Sequence, residues 1–538
     1  MKKITVLIFT ISVISILAAC SQQSSETVDT EKQDEESASQ EVVQVRTEDT
    51  KGQKVNEFNL NAKETKWTLS PEKTITAWTY NGTVPGETIR VKQGEVVKVN
   101  LKNDLEEPVS IHWHGVPLPN TEDGIPGVTQ DAVVPGETYT YEFVANDPGT
   151  YWYHSHQNGV EQLDKGLYGT LIVEPKDGID VDRDYTLVLD EWESGTHDDG
   201  SENHDGGMNM GDNKGSSIHM EGMGMKNGMS MEGMEDHMQS DDNSMMMHDM
   251  SSYDIYTMNG KTYEENESLK VKKGDKVKLR FVNAGYMAHP IHIPVDYKVT
   301  HVDGQKVNNP QVEKSSILEI APGERYDIEF VADGKGDFTI DCHGEMEAAE
   351  DMRMDVVYED GNGQKLEHAT ASSEIDLTKL GERAEAPFTL NDQFDMEYTM
   401  ELGAKMDMDE EMGMSWTIND ETYPDVPPLK VNEGDKVKVT LTNNSMDDST
   451  HPMHLHGHFF QVLSKNGQPL EDSPIIKDTL NVKPGETYEV AFLADNPGNW
   501  LFHCHDLHHA SSGMVAMMKY NNFEEFYTDT GKVDNQPE

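Results

Sequence analysis

Asn499-Trp500-Leu501-Phe502-His503-Cys504-His505-Asp506-Leu507-His508-His509-Ala510-Ser511-Ser512-Gly513-Met514 lies close to the C-terminus. Its opening run, Asn499 to Phe502, is apolar and aromatic and reads as a strand entering a core. Side chains alternate along a strand, so His503 and His505 point one way and Cys504 the other. One thiolate is thereby joined through its own backbone to two imidazoles that serve a different place. A thiolate, a histidine five residues on and a methionine ten residues on suit a blue-copper centre of two His, one Cys and a weak axial Met. The second histidine has to come from elsewhere, and His451-Pro452-Met453-His454-Leu455-His456-Gly457-His458 can supply it.

The region around this stretch recurs twice earlier in the chain. Trp416-Thr417-Ile418-Asn419-Asp420 and Leu429-Lys430-Val431-Asn432-Glu433-Gly434-Asp435 match Tyr256 to Gly260 with Leu269 to Asp275, and Trp78 to Gly82 with Ile89 to Glu95. Each copy continues through alternating segments and a histidine-bearing segment to a Pro-Gly-Glu turn, at Pro135, Pro322 and Pro484. Short strands separated by turn signals predict a β-sandwich. Repetition at this long period predicts three such domains rather than a solenoid of small repeats.

The copies differ in their metal-binding residues. The first has His154-Ser155-His156, with serine in place of the thiolate. The second has Asp341-Cys342-His343, with Glu347 and Met352 at the spacings of His509 and Met514, and His289-Pro290-Ile291-His292 parallel to His451-Pro452-Met453-His454. The middle copy therefore reads as a blue-copper site that lost one histidine, and a relic that binds nothing is the expectation, since carboxylate poorly replaces imidazole there. His112-Trp113-His114 and His454-Leu455-His456 complete a set of four His-x-His pairs, two in the first copy and two in the third. Eight imidazoles can converge if those two domains pack together, and neutral imidazole favours copper.

The ends and composition bound the rest. The chain has 538 residues, room for three ordinary domains. Met1-Lys2-Lys3, an apolar run from Ile4 to Ala19 and small residues before Cys20 describe an export signal. The run is short for a membrane span. Leu17-Ala18-Ala19-Cys20 resembles the bacterial lipoprotein processing motif, which implies that Cys20 becomes a lipidated N-terminus. Three cysteines in all exclude a disulfide framework. A formal net charge of -56 excludes a nucleic-acid footprint and suits a surface protein that attracts cations.

On these motifs the chain resembles three-domain multicopper oxidases, of the laccase and bacterial cuprous-oxidase family, from about Trp67 to Tyr520. The resemblance implies an all-β fold of three consecutive cupredoxin-like Greek-key β-sandwich domains. It implies four copper ions: type 1 on His451, Cys504, His509 and axial Met514; type 2 on His112 and His454; a type 3 pair on His114, His154, His156, His456, His503 and His505. It further implies one-electron oxidation of substrate at type 1, transfer along Cys504 to His503 and His505, and four-electron reduction of dioxygen to water. Asp123 matches the family's acidic residue near type 2, where a carboxylate can relay protons; a turn-forming Asp-Gly is the plainer reading. Many bacterial relatives carry an acid just after the last type 1 histidine, where this chain has Ala510.

From His197 to Met250 the sequence is rich in Met, Gly, Asp and His, and the composition predicts a solvated loop. Thioethers are soft donors that favour cuprous ion. The corresponding loop of the third copy carries Met396, Met400, Met406, Met408, Met412 and Met414. Met406, Met408, Asp409 and Met412, with Asp447, are candidates for cuprous docking, and ordinary surface residues are the plainer reading. The expected organisation is a signal peptide over 1–20, an acidic flexible tether over 21–54, domains over 55–176, 177–366 (with the insertion at about 196–252) and 374–526, and a polar tail over 527–538. The expected function is an extracytoplasmic, lipid-anchored, monomeric copper oxidase acting on cuprous ion for copper tolerance, and on phenols as a side reaction. The rivals are a general laccase, a ferroxidase or manganese oxidase of the same fold, and a non-enzymatic copper-sequestering surface lipoprotein.

Overall fold

Asn81, Asn259 and Asn419 occupy the same place in the three sequence copies, and all three adopt positive φ, at 63°, 54° and 56°. Asparagine tolerates this region better than most residues and can hydrogen-bond its surroundings from it. Each does so in the same way. The side-chain oxygen accepts from the backbone N–H of Asn61, Val188 or Glu401 at 2.8 Å. The tight turn so fixed sends the chain back beside the strand it has just left, and a sandwich grows from each.

The computed structural model describes residues 42–193, 253–344, 347–361, 363–366, 373–407, 413–445 and 449–537. In the third copy one sheet orders its strands as Gly413–Ile418, Met396–Asp407, Lys436–Asn443, Thr487–Leu493, Phe460–Lys465 and Gln468–Pro469, with Ile475–Lys477 also paired to Phe460–Lys465. The facing sheet runs Leu429–Val431, Val515–Tyr520, Asn499–Cys504, His451–Leu455 and Thr479–Val482. The middle copy repeats both orders strand for strand, from Arg183–Glu193 to Arg353–Tyr358. The first copy has the same plan in two four-stranded sheets, between Val55–Ser70 and Tyr168–Glu174. The fold is all-β, built from three cupredoxin-like sandwiches. Alternation packs their inner faces; Val437, Val439 and Leu441 are each 0% exposed, with polar Lys438 and Thr440 between them.

The structure departs from the expectations in two places and adds to a third. Residues 42–54, read as the end of a flexible tether, are seated on the sandwiches: Val43 bridges to Phe523, and Glu48 accepts from the N–H of Val144 at 2.6 Å. The polar tail is likewise docked, with Tyr527 donating to Asp131 at 2.6 Å and Gln157 donating to the carbonyl of Asp534 at 2.9 Å. Apart from the half-buried Val43 and Val45, both segments are polar and held by hydrogen bonds, so little hydrophobic pattern announces them. The methionine-bearing segment of the third copy is a hairpin, not a loop. Met396–Asp407 pairs with Gly413–Ile418, and Met400 is core at 1% exposure. Cys20 and the insertion lie outside the described residues.

Candidate metal centre

His451–Leu455 and Asn499–Cys504 are neighbouring antiparallel strands, and their register sets Met453 opposite Cys504 and His454 opposite His503. The sulfur of Cys504 faces Nδ1 of His451 at 3.8 Å and Nδ1 of His509 at 3.6 Å, and the two nitrogens are 3.2 Å apart. His509 comes from the short helix Leu507–Ser511. Asp506 caps it by accepting from the N–H of His508 at 3.1 Å, and its second oxygen lies 3.4 Å from Nε2 of His509. That contact turns Nδ1 toward the sulfur. Met514 is 0% exposed, and its carbonyl accepts from the N–H of Cys504 at 3.1 Å. Trp416 lies against His509, with ring centres 3.8 Å apart.

The eight imidazoles of the four His-x-His pairs gather where the first and third sandwiches meet. His112–His114 pairs with Gly149–His154, so His112 faces His154 just as His454 faces His503. The strand reading needs one adjustment: His156, His456 and His505 fall just beyond their strand ends. The rings form two triads and a pair. His156, His456 and His503 bring their nitrogens together, with Nε2 of His456 and of His503 3.0 Å apart. His114, His154 and His505 have ring centres 4.8 to 5.8 Å apart. His112 and His454 stand 5.9 Å apart.

Nε2 of His112, His154, His454 and His505 and Nδ1 of His114 are buried without a hydrogen-bond partner. Buried polar atoms are normally paired, and here the outward nitrogen of most rings is paired, to Asp123, Ser155 or Asp478. Burial, reinforced by neighbouring imidazoles, holds His114, His154, His456, His503 and His505 well below the usual histidine range, and brings His156 down to about 3. These rings are neutral at physiological pH, as metal ligands must be. A thiolate with imidazoles beside an all-imidazole cluster fits copper.

Two carboxylates border the cluster. Asp123 places one oxygen 3.3 Å from Nδ1 of His112 and the other 3.1 Å from Nδ1 of His456. Asp478, which no sequence motif singles out, lies 3.2 Å from Nε2 of His114, and its carbonyl accepts from Nδ1 of His454 at 3.0 Å. Arg325 of the middle sandwich clamps it with two bonds at 2.7 and 2.5 Å. Burial raises the Asp478 carboxyl, but the guanidinium overcomes this and holds it below the usual range. Lys477, Asp303 and Glu324 extend this buried charge network, with Nζ of Lys477 at 3.1 and 3.2 Å from the two acids. Two glycines admit it. A Cβ on Gly115 would strike Nη2 of Arg325 at 2.3 Å, and one on Gly323 would meet His505 at 2.9 Å.

Comparison with known proteins fits this geometry. The family profiles described as Multicopper oxidase match residues 61–178, and 234–362 with 390–524. The multicopper oxidase MmcO of Mycobacterium tuberculosis is 30% identical over 465 residues, 83% of each chain. The chain is a multicopper oxidase. A copper resistance protein A homolog of Pseudomonas syringae pv. tomato is 26% identical over 86% of this chain and 92% of that one. The crystal structure of a multi-copper oxidase from Pseudomonas thermotolerans superposes with a TM-score of 0.61, at 26% identity, over 87% of this chain and all of that one. As a member of the family the oxidase binds copper and is an oxidoreductase.

The face of the oxidase beside His509 is partly built by the middle sandwich. His508 and His509 are 8% and 7% exposed, so solvent reaches this edge, whereas His451 is fully buried. Nε2 of His508 is 3.1 Å from the hydroxyl of Tyr253, which also donates to Asp164 at 2.9 Å. Burial pushes Asp164 up to about 8. Tyr253 pairs with Glu193, so the two strand ends that flank the methionine-rich insertion sit together beside His508. Of the suggested docking residues, Met406 is 52% exposed on its hairpin; Met408, Asp409, Met412 and Asp447 lie outside the described residues. Ala510 is buried and brings no acid to the cluster.

Proposed function

We propose that the oxidase takes electrons from cuprous ion at the Cys504 centre and uses them to reduce dioxygen to water at the histidine cluster, in the service of copper tolerance. The ligand sets are those already described: His451, Cys504, His509 and Met514 for type 1, His112 and His454 for type 2, and the triads His114/His154/His505 and His156/His456/His503 for type 3. When bound, the four copper ions supply one-electron acceptance at the first set and multi-electron oxygen reduction at the others. The chain supplies the rest. Cys504 joins its sulfur to His503 and His505 through one peptide unit on each side, a short covalent route between the sites. Asp123 touches two cluster imidazoles and is placed to hold and pass protons. Complete burial of the cluster limits access by bulk water.

The observation that carries cuprous ion as substrate is the pairing of Tyr253 with Glu193 beside His508. Through it, a sequence holding Met223-Gly224-Met225 and Met245-Met246-Met247-His248 departs and returns next to the solvent-exposed edge of His509. Thioethers are soft donors that select cuprous ion over phenols, and relatives named for copper resistance favour the same role. The export signal and Cys20 support a position outside the cytoplasm, held by lipid. The test is oxygen uptake with cuprous ion and with dimethoxyphenol, before and after deletion of residues 197–250. Selective loss of cuprous turnover is expected. Dominant phenol turnover, with the ratio of the two rates unchanged by the deletion, would make the protein a general laccase.

A further inference from the structure

The middle sandwich repeats the Cys504 centre closely, and the reaction above does not use it. His289 and Cys342 are separated by 53 residues, as are His451 and Cys504, and in both pairs Nδ1 lies 3.8 Å from the sulfur. Tyr256 meets His289 edge-on at 5.4 Å and 77°, as Trp416 meets His451 at 5.4 Å and 70°. The N–H of Cys342 donates to the carbonyl of Met352 at 3.1 Å, the same bond and length that tie Cys504 to Met514. Met352 is 0% exposed and Cys342 is a free, buried thiol.

The first sandwich shows what loss of such a centre looks like in this fold. There Val109 stands at the position of His451, and Ser155, in place of the thiol, donates to Gln162 at 2.6 Å. The middle sandwich has no such replacement, and it adds a carboxylate behind the imidazole. Nε2 of His289 is 2.9 Å from Glu191, whose other oxygen accepts from the N–H of Met287 at 2.7 Å. A carboxylate on the far nitrogen is the usual support of a metal-bound histidine. A proton held on Nε2 by Glu191 would leave Nδ1 to a metal ion beside the sulfur. Among the described residues no second imidazole joins Cys342 as His509 joins Cys504. Thiolate, thioether and one imidazole make a softer set than that of the third sandwich, suited to a monovalent, d¹⁰ ion. A thiolate and a monocation also cancel in charge, which eases burial.

We propose that Cys342, His289 and Met352 hold one cuprous ion inside the middle sandwich, bound with loss of the thiol proton and without turning over. The full chain carrying Cys20→Ser and Cys504→Ser retains Cys342 as its one thiol, since the sequence has three cysteines. Anaerobic titration of that protein with cuprous ion, buffered by a bicinchoninate competitor, should develop thiolate-to-copper near-ultraviolet absorption whose final amplitude corresponds to one thiolate-bound ion per chain. The methionine-rich insertion has no thiol and contributes none of this band. Adding Cys342→Ser should abolish it. Adding Glu191→Gln instead should keep the band and weaken binding roughly 10–100-fold, as loss of an outer partner does. In the otherwise unaltered oxidase, Cys342→Ser should remove one copper while leaving the blue absorption of the Cys504 centre. Absence of the band, or a band that survives Cys342→Ser, would overturn the proposal and leave a hydrogen-bonded thiol–imidazole pair.

Discussion

Asp123 and Asp478 both touch two imidazoles of one cluster, yet they are built for different work. Asp478 is held by both arms of Arg325, with Asp303, Lys477 and Glu324 behind it, so its charge is fixed from the protein side. Among the described residues no lysine or arginine pairs with Asp123; its oxygens face His112 and His456. A carboxylate locked to a guanidinium is a poor proton carrier, because protonation would strand a buried cation. On the reading proposed above, the carboxylate that faces imidazoles without a cation is left for proton delivery, and the clamped one for holding His114 and His454 in place.

The largest effect expected is on Asp123. Asp123→Asn keeps the shape and one acceptor but cannot relay a proton, so kcat should fall by about 10²–10⁴-fold with little change in thermal stability. The fall is read by steady-state oxygen uptake per bound copper, and Asp123→Glu, which keeps a carboxylate, should restore part of it. Asp478→Asn should lower copper retention more than turnover per bound copper. If both variants lose turnover per bound copper alike, the division of labour is wrong. Next in size is Arg325→Met, which leaves Asp478 buried without its cation. Removing one partner of a buried pair costs about 3–5 kcal/mol, read by urea denaturation. Combining it with Asp478→Asn should restore part of that loss, because the stranded charge is gone.

The same contrast shows what a sequence can reveal. His503, Cys504, His509 and Met514 lie within twelve residues, and strand alternation says which of them face together. The four His-x-His pairs are local, and so is the threefold repeat that carries the fold. The Arg325 clamp is not local: it lies 153 residues from Asp478, in a sandwich that supplies no histidine to the cluster. The turn Pro322-Gly323-Glu324 looks like its two counterparts in sequence, and only its Cβ environment sets it apart: Gly136 and Gly485 have nothing within 4 Å. The docked ends, likewise, carry no apolar period to read. Lys477-Asp478 is the available signal, a base and an acid where the strand Ile475–Lys477 gives way to Thr479–Val482 in a stretch otherwise fit for a core.

The cluster and the clamp should also part company in acid. The usual histidine value of 6.5 is depressed in the folded cluster, to about 3 for His156. The unfolded chain therefore binds protons that the folded chain refuses once pH drops below about 6.5, and folding stability is lost as pH falls. Each such histidine contributes a slope of about 1.4 kcal/mol per pH unit across that window. Asp478 has a depressed value too, so its contribution persists above the ordinary carboxylate value of 3.8 and is absent from this slope. Metal-free protein compared at pH 7.5 and 5.5 by urea denaturation should weaken steeply. Copper-loaded protein should weaken less, since protons must then displace the metal. Equal slopes with and without copper would mean that the histidines are not the ligands.

The smallest expected effect separates His156 from its triad partners. Nδ1 of His503 is paired to the carbonyl of Cys504, and that of His456 to Asp123, both within the metal-bearing sandwiches. Nδ1 of His156 is paired instead to the carbonyl of Pro537, delivered by a tail that Gln157 and Ala132 hold through Gln536 and Asn535. Ending the chain at Thr530 removes that acceptor without touching any ligand. Water replaces the lost hydrogen-bond partners, each worth about 1 kcal/mol net, and the segment's ordering entropy is recovered, so the net loss of stability should be small. The ring, however, loses its fixed tautomer and orientation, and outer partners of this kind are worth roughly 10–100-fold in metal affinity. Copper retained after dialysis against a chelator should therefore drop at the triads, while the blue absorption of the Cys504 centre stays. Loss of the blue absorption as well would show that the tail supports the whole third sandwich rather than one imidazole.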